Sequence, residues 1–316
     1  MYLNKRIGVV VPAYNEARLV GRVIETMPPF VDRIIVVDDR SKDRTSEVVR
    51  KYVSEAPERI YLIRHEVNQG VGGAISTGYK RAVEEGIDVV AIMAGDAQMD
   101  PADLESIIRP VASGEVGYTK GNRLFRGESW RTIPHYRYLG NATLSLMTKI
   151  ASGYWHIADS QTGYTAISLE ALQAIDVDGI YKRYGMPNDI LIKLNVAGVK
   201  VRDVSIKPVY NVGEVSGIKL RKVIPRISLL LVRGFFWRMF WKYVIIDFHP
   251  LVFFYLLGGL LLPLGILLGS YLVFYRIFIG DVAMTSALLS AFLTITGLQM
   301  ILFGMWFDME YNKHLR

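Results

Sequence analysis

The first half of the chain alternates short runs of branched apolar residues with longer segments of helical periodicity. The apolar runs at residues 6–11, 33–38, 59–64 and 88–93 are typical of strands buried on both faces. The intervening segments near residues 16–27, 42–54, 73–86 and 101–112 are typical of helices. This alternation predicts an α/β fold with a mostly parallel sheet covered on both faces. In such sheets, ligands bind at the carboxyl ends of the strands.

The pattern becomes mixed in the next hundred residues. It predicts a helix at 136–152, then, beyond the polar segment 159–168, a helix near 188–197 and a strand near 199–209. The composition changes after residue 217. We therefore expect an α/β domain at 1–217, amphipathic interfacial helices at 218–249 and a membrane hairpin at 250–316.

Two runs near the C-terminus, residues 251–275 and 282–307, contain no charged side chain. Each is longer than the roughly 20 apolar residues that cross a hydrocarbon core of about 30 Å. The alternative is a pair of long helices buried in a soluble core, which two adjacent uncharged runs disfavour. The runs therefore predict a transmembrane hairpin.

The segment before the first run interleaves basic and aromatic residues, which is typical of a helix lying in the membrane interface. The alternative is an ordinary amphipathic helix packed on the globular domain. Seven Lys or Arg precede the first run, whereas residues 276–281 between the runs contain one. The positive-inside rule therefore predicts an integral membrane protein whose globular domain and C-terminus are cytoplasmic.

The net charge of +7 lies mainly in this C-terminal part, which has ten Lys or Arg against four Asp or Glu after residue 217. A basic excess can indicate a nucleic-acid partner. Its position beside two predicted spans indicates anionic lipid instead, and we expect no nucleic acid. The apolar run that follows the first six residues is too short for a signal peptide, so none is expected. The absence of Cys excludes disulfides and thiolate metal sites.

Polar residues follow the first two predicted strands. Pro12 ends the first strand, and Asn15 is a candidate cap for the following helix. Asp38 and Asp39 end the second strand. Two adjacent carboxylates raise each other's pKa, which is costly unless they bind something, and they could accept hydrogen bonds from a nucleobase and ribose. Helix capping nearby by Ser41 and Asp43 is the structural alternative, and both can hold together.

The third and fourth predicted strands also end in candidate ligand-binding motifs. Asn68 to Ala74 includes three glycines and opens a helix, so its backbone N–H groups could lie near a phosphate or sugar. It is neither a Walker loop nor a GxGxxG motif. Asp96 and Gln98 alternate in a segment expected to be extended, which would direct both side chains to one face. Their oxygens suit Mg²⁺ or Mn²⁺.

These four motifs, in this order and each at a strand end, resemble family-2 glycosyltransferases of GT-A fold. The resemblance covers roughly residues 6–210, and with the membrane tail the chain looks most like dolichyl-phosphate mannose synthases and related polyprenyl-phosphate glycosyltransferases. It implies inverting transfer of a sugar from a UDP- or GDP-sugar to a dolichyl or undecaprenyl phosphate. It also implies Mg²⁺ or Mn²⁺ as cofactor and the membrane as a partner. A homo-oligomer is consistent with it.

The resemblance assigns roles residue by residue. The implied metal ligands are Asp96 and Gln98, and Arg123 and Arg137 would face the acceptor phosphate. The implied catalytic residues are Asp96, Arg123, Arg137, Asp159 and Asp189. The implied nucleotide-sugar-binding residues are Pro12, Tyr14, Glu16, Asp38, Asp39, Asn68, Gly70, Asp96, Gln98, Gln161, Lys219, Arg221 and Lys222.

Two positions depart from the family pattern. Ala94 stands where the family usually has the first carboxylate of its metal motif, so the ion would depend on Asp96 and Gln98 with the donor diphosphate. Asp189 stands where the family often has Glu, which gives a shorter reach.

Three alternatives to this function differ in their sequence requirements. A processive polysaccharide synthase is disfavoured, because no Gln-x-x-Arg-Trp motif occurs and only two spans are predicted. A transferase acting on a lipid or glycan hydroxyl would require a base, for which Asp159 or Asp189 are candidates. An inert membrane scaffold that binds nucleotide-sugar is supported only by Ala94.

Overall fold

The computed structural model describes residues 1–124, 135–207, 209 and 220–316, without the side chains of 135–142 and 220–222. These residues form two compact units. One comprises Met1–Phe235 with Leu315–Arg316, and the other comprises Phe236–His314.

A sheet of seven strands forms the centre of the first unit. In chain order the strands are β1 (Ile7–Ala13), β2 (Arg33–Asp38), β3 (Ile60–Arg64), β4 (Val89–Ile92), β5 (Tyr118–Asn122), β6 (Thr165–Ser168) and β7 (Val201–Ser205). Their spatial order is β3-β2-β1-β4-β6-β5-β7. Only β6 runs antiparallel to its neighbours, β4 and β5. The predicted mostly parallel sheet is confirmed.

Helices cover both faces of this sheet, and others pack on those helices. The helices are α1 (Val20–Glu25), α2 (Thr45–Glu55), α3 (Val71–Glu84), α4 (Leu104–Ala112), α5 (His135–Ser152), α6 (Leu169–Gln173), α7 (Met186–Val196) and α8 (Leu220–Phe240), the last of which continues into the second unit. Alternate residues of β1 face opposite sides, so Val9 packs in one apolar cluster with Ile107 of α4, and Val10 packs in the other with Ile75 of α3.

Strand β5 is absent from the predicted pattern because its composition is unusual. Lys120, Gly121 and Asn122 are poor strand formers, yet all five residues of the strand are buried. Its parallel register with β7, which pairs Lys120 with Asp203, supplies the tertiary contacts that overcome this local preference.

The second unit contains two helices of 28 residues each, α9 (Leu251–Phe278) and α10 (Met284–Tyr311). At 1.5 Å per residue each is about 42 Å long, which exceeds a hydrocarbon core of about 30 Å. Only 17% of the most apolar stretch of each helix is buried. Such exposure contradicts the alternative of long helices buried in a soluble core.

Glycines allow α9 and α10 to pack closely. A Cβ atom added at Gly258 would lie 2.9 Å from the carbonyl oxygen of Gly297, and one at Gly297 would lie 2.4 Å from the Leu262 nitrogen. Both contacts are with backbone atoms, which a side chain cannot displace by changing rotamer. Small residues are therefore required on the facing sides of the hairpin.

A buried polar cluster lies at the C-terminal end of α10. Arg238 donates two hydrogen bonds to Asp308, at 2.7 Å and 3.0 Å, and neither side chain is exposed. Asn312 donates to the Tyr243 hydroxyl at 2.7 Å and accepts from Lys242 at 2.7 Å. The carboxylate on the second apolar helix is thus paired within the protein.

Candidate active site

The loops after β1 and β2 are joined by side-chain hydrogen bonds. The Asn15 nitrogen donates to Ser41 Oγ at 2.9 Å, and the Glu16 nitrogen donates to Thr45 Oγ1 at 2.9 Å. Asn15 Oδ1 accepts from the Lys42 nitrogen at 2.8 Å, with Asn15 itself at φ 60°. The sequence suggested that Asn15 caps α1. It does not, because its side-chain oxygen accepts a hydrogen bond from the neighbouring loop instead.

The two adjacent carboxylates after β2 have different surroundings. Asp38 is fully buried and accepts hydrogen bonds from the Ser41 nitrogen at 2.8 Å and from the Ser46 hydroxyl. These donors belong to the loop and to the first turn of α2. In this structure Asp38 shapes the loop, and a nucleotide could reach it only by displacing these donors. The helix itself begins after Arg44, which makes no side-chain capping hydrogen bond, so the alternative of capping by Ser41 and Asp43 is not what orders this loop.

Asp39 holds the segment that follows β3. Its carboxylate accepts from the Gln69 and Gly70 nitrogens, each at 2.7 Å, and lies 2.8 Å from Nδ1 of His65. The Asn68 side chain donates to the Asp39 carbonyl oxygen at 3.0 Å. Asp39 is 3% exposed, so its first role is to position the glycine-containing loop.

The glycines at the start of α3 make room for another segment of the protein. The nitrogens of Gly72 and Gly73 donate to the Lys182 carbonyl oxygen at 3.1 Å and 3.3 Å. A Cβ atom at Gly72 would lie 2.1 Å from the Tyr181 carbonyl oxygen, and one at Gly70, which has φ 85°, would lie 2.4 Å from the Lys182 carbonyl oxygen. In this structure these two N–H groups are already paired with a carbonyl oxygen, and the predicted contact of the loop with a phosphate or sugar stays a prediction.

Asp189 fixes the segment that packs on α3. Its carboxylate accepts from the Tyr181 nitrogen at 2.8 Å and lies 3.4 Å from the Lys193 ammonium group. Burial raises the pKa of Asp189, although Lys193 opposes this effect. Asp189 does not line the cavity that lies beside Asp96 and Gln98, described below.

The segment after β4 is a turn rather than the extended strand that was predicted. Ala97 has φ 56°, and the Asp96 carboxylate accepts from the Gln98 nitrogen at 3.1 Å. The turn nevertheless directs Asp96 and Gln98 to the same place, since both line a cavity of about 260 Å³. The shared face expected from alternation is therefore produced by a local hydrogen bond.

This cavity, which we call the strand-end cavity, also receives residues from the second half of the unit. Arg123 and Gln161 were predicted from the sequence, and Pro12 lies in its wall as well. The predicted site residues did not include other lining residues such as Tyr184, Met186, Pro187 and Lys207. No local pattern marks them, because loops from distant parts of the chain bring them together.

Negative charge accumulates around Asp96. Burial raises the pKa of Glu16 to about 7, and the charges of Asp96 and Asp43 add to the effect. Tyr14, two residues before Glu16, is 43% exposed. A cation bound by Asp96 would relieve this repulsion.

Arg123 and Asp159 form a bidentate ion pair at the cavity. Arg123 Nε donates to Asp159 Oδ2 at 2.7 Å, and Nη2 donates to Oδ1 at 3.1 Å. Burial alone would raise the pKa of Asp159, but Arg123 and Lys120 reverse this and hold it below its usual range. Gln161 donates its own backbone N–H to Asp159 and its side-chain amide to Asn188, at 3.1 Å and 3.0 Å.

Several predicted residues lie outside the described part of the chain. They are the Arg137, Arg221 and Lys222 side chains and Lys219 as a whole. Their predicted roles stay predictions.

The sequence that forms these loops matches a known family. A family model described as Glycosyl transferase family 2 matches residues 8–176, which is more than half of the chain. The chain belongs to glycosyltransferase family 2. The predicted enzyme class is thereby confirmed, and the matched residues include all strands from β1 to β6.

Relatives of the enzyme from several organisms are named as glycosyltransferases. A UDP-N-acetylglucosamine–dolichyl-phosphate N-acetylglucosaminyltransferase of Methanococcus voltae is 32% identical over 219 residues, covering 66% of this chain and 87% of the relative. An undecaprenyl-phosphate mannosyltransferase of Micrococcus luteus is 28% identical, covering 64% and 82%. A dolichol-phosphate mannosyltransferase of Pyrococcus furiosus is 28% identical, covering 60% and 53%.

A solved structure supports the GT-A fold of the enzyme. Glucosyl-3-phosphoglycerate synthase from Mycobacterium tuberculosis, in complex with Mn²⁺, UDP-glucose and phosphoglyceric acid, superposes with a TM-score of 0.53. The two chains are 18% identical, and the match covers 74% of this chain and 80% of the other.

The described residues of the enzyme provide only part of a metal site. They contain no group of three His, Cys, Asp or Glu side chains placed to bind a metal ion. Asp96 and Gln98 could supply two oxygen ligands that suit Mg²⁺ or Mn²⁺, and the charge of Asp96 adds to the burial that raises the pKa of Glu16. These residues fit an ion that takes its remaining ligands from a bound diphosphate and water.

Proposed function

We propose that this enzyme transfers a sugar, with inversion, from a nucleotide-sugar to a polyprenyl phosphate at the cytoplasmic face of a membrane. The observation that carries the proposal is the strand-end cavity, which is lined by Asp96 and Gln98 and also by Arg123. The proposal is supported by relatives whose names specify dolichyl or undecaprenyl phosphate.

The donor would bind along the β1 and β2 loops with its diphosphate toward Asp96. Mg²⁺ or Mn²⁺, held by Asp96 and Gln98, would neutralise charge on the departing nucleoside diphosphate. Tyr14 and Glu16 lie on the donor side, and Asp39 orders the adjacent Asn68–Gly70 loop through its backbone contacts. The charges of Glu16 and Asp96 repel each other and would also repel a diphosphate. Because a bound cation would relieve this repulsion, donor and ion are expected to bind together.

The acceptor would be bound by Arg123, with Arg137 as the predicted second cation. A phosphate monoester is largely dianionic near neutral pH, since its second pKa is about 6, so it attacks without a strong base. It does need cations, and a guanidinium matches its geometry. The attacking oxygen would form a bond to the anomeric carbon as the bond to the diphosphate breaks.

The arrangement of the carboxylates favours this acceptor over a hydroxyl. A hydroxyl would require a general base within hydrogen-bond reach. Asp159 is held by Arg123, and its pKa lies below the usual range, which makes it a weak base. Asp189 contacts Tyr181 and Lys193 instead of lining the cavity.

The C-terminal helices would keep the enzyme at its lipid substrate. Both α9 and α10 are long and apolar enough to cross a bilayer. Exposed Phe236, Trp237, Phe240 and Trp241 precede them and suit a membrane interface. An integral membrane location with a cytoplasmic catalytic domain follows from the distribution of Lys and Arg.

A direct assay tests the proposal. Full-length protein in detergent is incubated with UDP- and GDP-sugars, Mn²⁺ or Mg²⁺, and a short polyprenyl phosphate, with the corresponding polyprenol as matched acceptor. Mass spectrometry should detect a sugar ester of the phosphate and no product from the polyprenol. Equal transfer to the polyprenol would contradict the acceptor assignment. No release of nucleoside diphosphate under any condition would support an inert scaffold.

A further inference from the structure

A lysine lies fully buried behind the strand-end cavity. Lys120, on β5, has no exposed surface, and its ammonium group donates to the Thr162 carbonyl oxygen at 2.5 Å. Lysine is almost never fully buried unless it is paired. Its charged neighbours are Asp159, Asp203 and Arg123. A buried ammonium group in this position is costly, so its role needs an explanation.

Lys120 and Asp203 hold the two ends of one short segment. Asp203 lies opposite Lys120 in the β5–β7 register, and its Oδ2 accepts from the Ala158 nitrogen at 2.7 Å. Lys120 donates to the carbonyl oxygen of Thr162. Asp159 lies between these attachment points. The segment 158–162 is therefore fixed from beneath by one cation and one carboxylate.

This segment determines the position of Arg123. Asp159 is 1% exposed and accepts two guanidinium hydrogen bonds from Arg123, whose side chain is 24% exposed and lines the cavity. Gln161 and Thr162, in the same segment, also line the cavity. A displacement of the segment would therefore move both the guanidinium group and the cavity wall.

The four charged groups balance one another. Two cations, Lys120 and Arg123, oppose two carboxylates, Asp159 and Asp203. Burial lowers the pKa of Lys120 to about 8 and raises the pKa of Asp203 to about 6. Removing the ammonium group would leave two carboxylates against one guanidinium, which favours protonation of a carboxylate and weakens the hold on Arg123.

We propose that Lys120 is a positioning residue for acceptor binding, which acts through segment 158–162 and Asp159 to keep Arg123 oriented into the cavity. This inference rests on the proposed function for its acceptor, a lipid phosphate. Lys120 itself touches no substrate, because it is completely enclosed by protein. Its loss should therefore affect the acceptor much more than the donor.

The kinetic test compares Lys120→Met with a matched variant, Lys80→Met, whose lysine is partly exposed and pairs with Asp178. In Lys120→Met, the KM for a short polyprenyl phosphate should rise about tenfold, while the KM for the nucleotide-sugar changes little. Adding Asp203→Asn to Lys120→Met should restore most of the acceptor KM, since the charges balance again. Equal changes in both KM values, without restoration in the double variant, would overturn the inference.

A second variant covers the case in which Lys120→Met does not fold. Asp203→Asn alone keeps an oxygen for the Ala158 N–H group and removes one negative charge. It should lower the KM for the acceptor about twofold or more. A higher KM for the acceptor in this variant would contradict the inference that the charges of these four groups control acceptor binding.

A substrate-free measurement separates this inference from the proposed function. Thermal unfolding midpoints are compared for wild type, Lys120→Met, Asp159→Asn and the double variant. The loss caused by Lys120→Met should be much smaller when Asp159 is already neutral, and additive losses would contradict the coupling. If the wild type forms no lipid-phosphate product, the proposed function fails, and this comparison still decides whether Lys120 acts through Asp159.

Discussion

Asp159→Asn tests the ion pair on which the acceptor side of the site depends. The substitution preserves the size of the side chain and one oxygen, but it removes the charge that faces Arg123. It also changes one of the two guanidinium contacts, at 2.7 Å and 3.1 Å, from an acceptor into an amide donor. The Gln161 nitrogen loses a charged acceptor at 3.1 Å as well.

The expected cost follows from burial. Breaking a fully buried ion pair typically costs about 3–5 kcal/mol. Asp159 is 1% exposed, but Arg123 is 24% exposed and can recover some hydration. We therefore expect a loss of about 2–3 kcal/mol in the free energy of unfolding. The acceptor kcat/KM should fall about a hundredfold, because the guanidinium group loses its fixed orientation.

The loss in the free energy of unfolding should depend on pH, and its direction follows from the pKa of Asp159. The folded-state pKa of Asp159 is lower than its unfolded value. The pair therefore stabilises the protein fully above the unfolded pKa, near 3.9, and this contribution disappears as the pH falls through the folded pKa. Wild type and Asp159→Asn should differ at pH 7 and converge in strong acid.

Denaturant unfolding in detergent, at pH 7 and below pH 4, measures this difference. Asp178→Asn is the matched control, because Asp178 is 77% exposed and pairs with Lys80 at the surface. It should cost less than about 1 kcal/mol. If Asp159→Asn were as mild as the control, or if its cost did not decrease in acid, the ion pair would not hold the site together.

Three further predictions concern the donor side and the apolar helices. Asp96→Ala should abolish lipid-sugar formation, and calorimetry should show Mn²⁺ binding to the wild type only when a nucleoside diphosphate is present; tight binding of Mn²⁺ alone would contradict an incomplete protein site. Glu16 has a folded pKa raised to about 7, so the ligand-free protein should lose stability as the pH rises from about 4.5 to 7, and Glu16→Gln should flatten this slope in thermal unfolding scans. Gly297→Ala should lower the melting temperature, because its Cβ would lie 2.4 Å from the Leu262 nitrogen, whereas Gly259→Ala, with no atom within 4 Å, should not; equal effects would show that the helices do not pack as described.

The sequence by itself determined the parts that depend on local pattern. Alternating apolar runs predicted β1 to β4 and the mostly parallel sheet, because strands buried on both faces need continuous branched apolar residues. The length of the two runs without charged residues predicted the two long apolar helices. Polar motifs at strand ends predicted where Asp96 and Gln98 would lie, since parallel strands place their carboxyl ends at one edge, whereas only the family resemblance assigned Arg123.

Only the tertiary structure decided which polar groups are already paired. The Lys182 carbonyl oxygen occupies the N–H groups of Gly72 and Gly73, and the Asn15 side chain bonds to a neighbouring loop instead of capping α1. Strand β5 and the buried Lys120 were invisible to pattern reasoning, because their stability comes from residues distant in the chain. Hydrogen bonds and charge compensation are short-ranged in space, not in sequence, so only the fold reveals them.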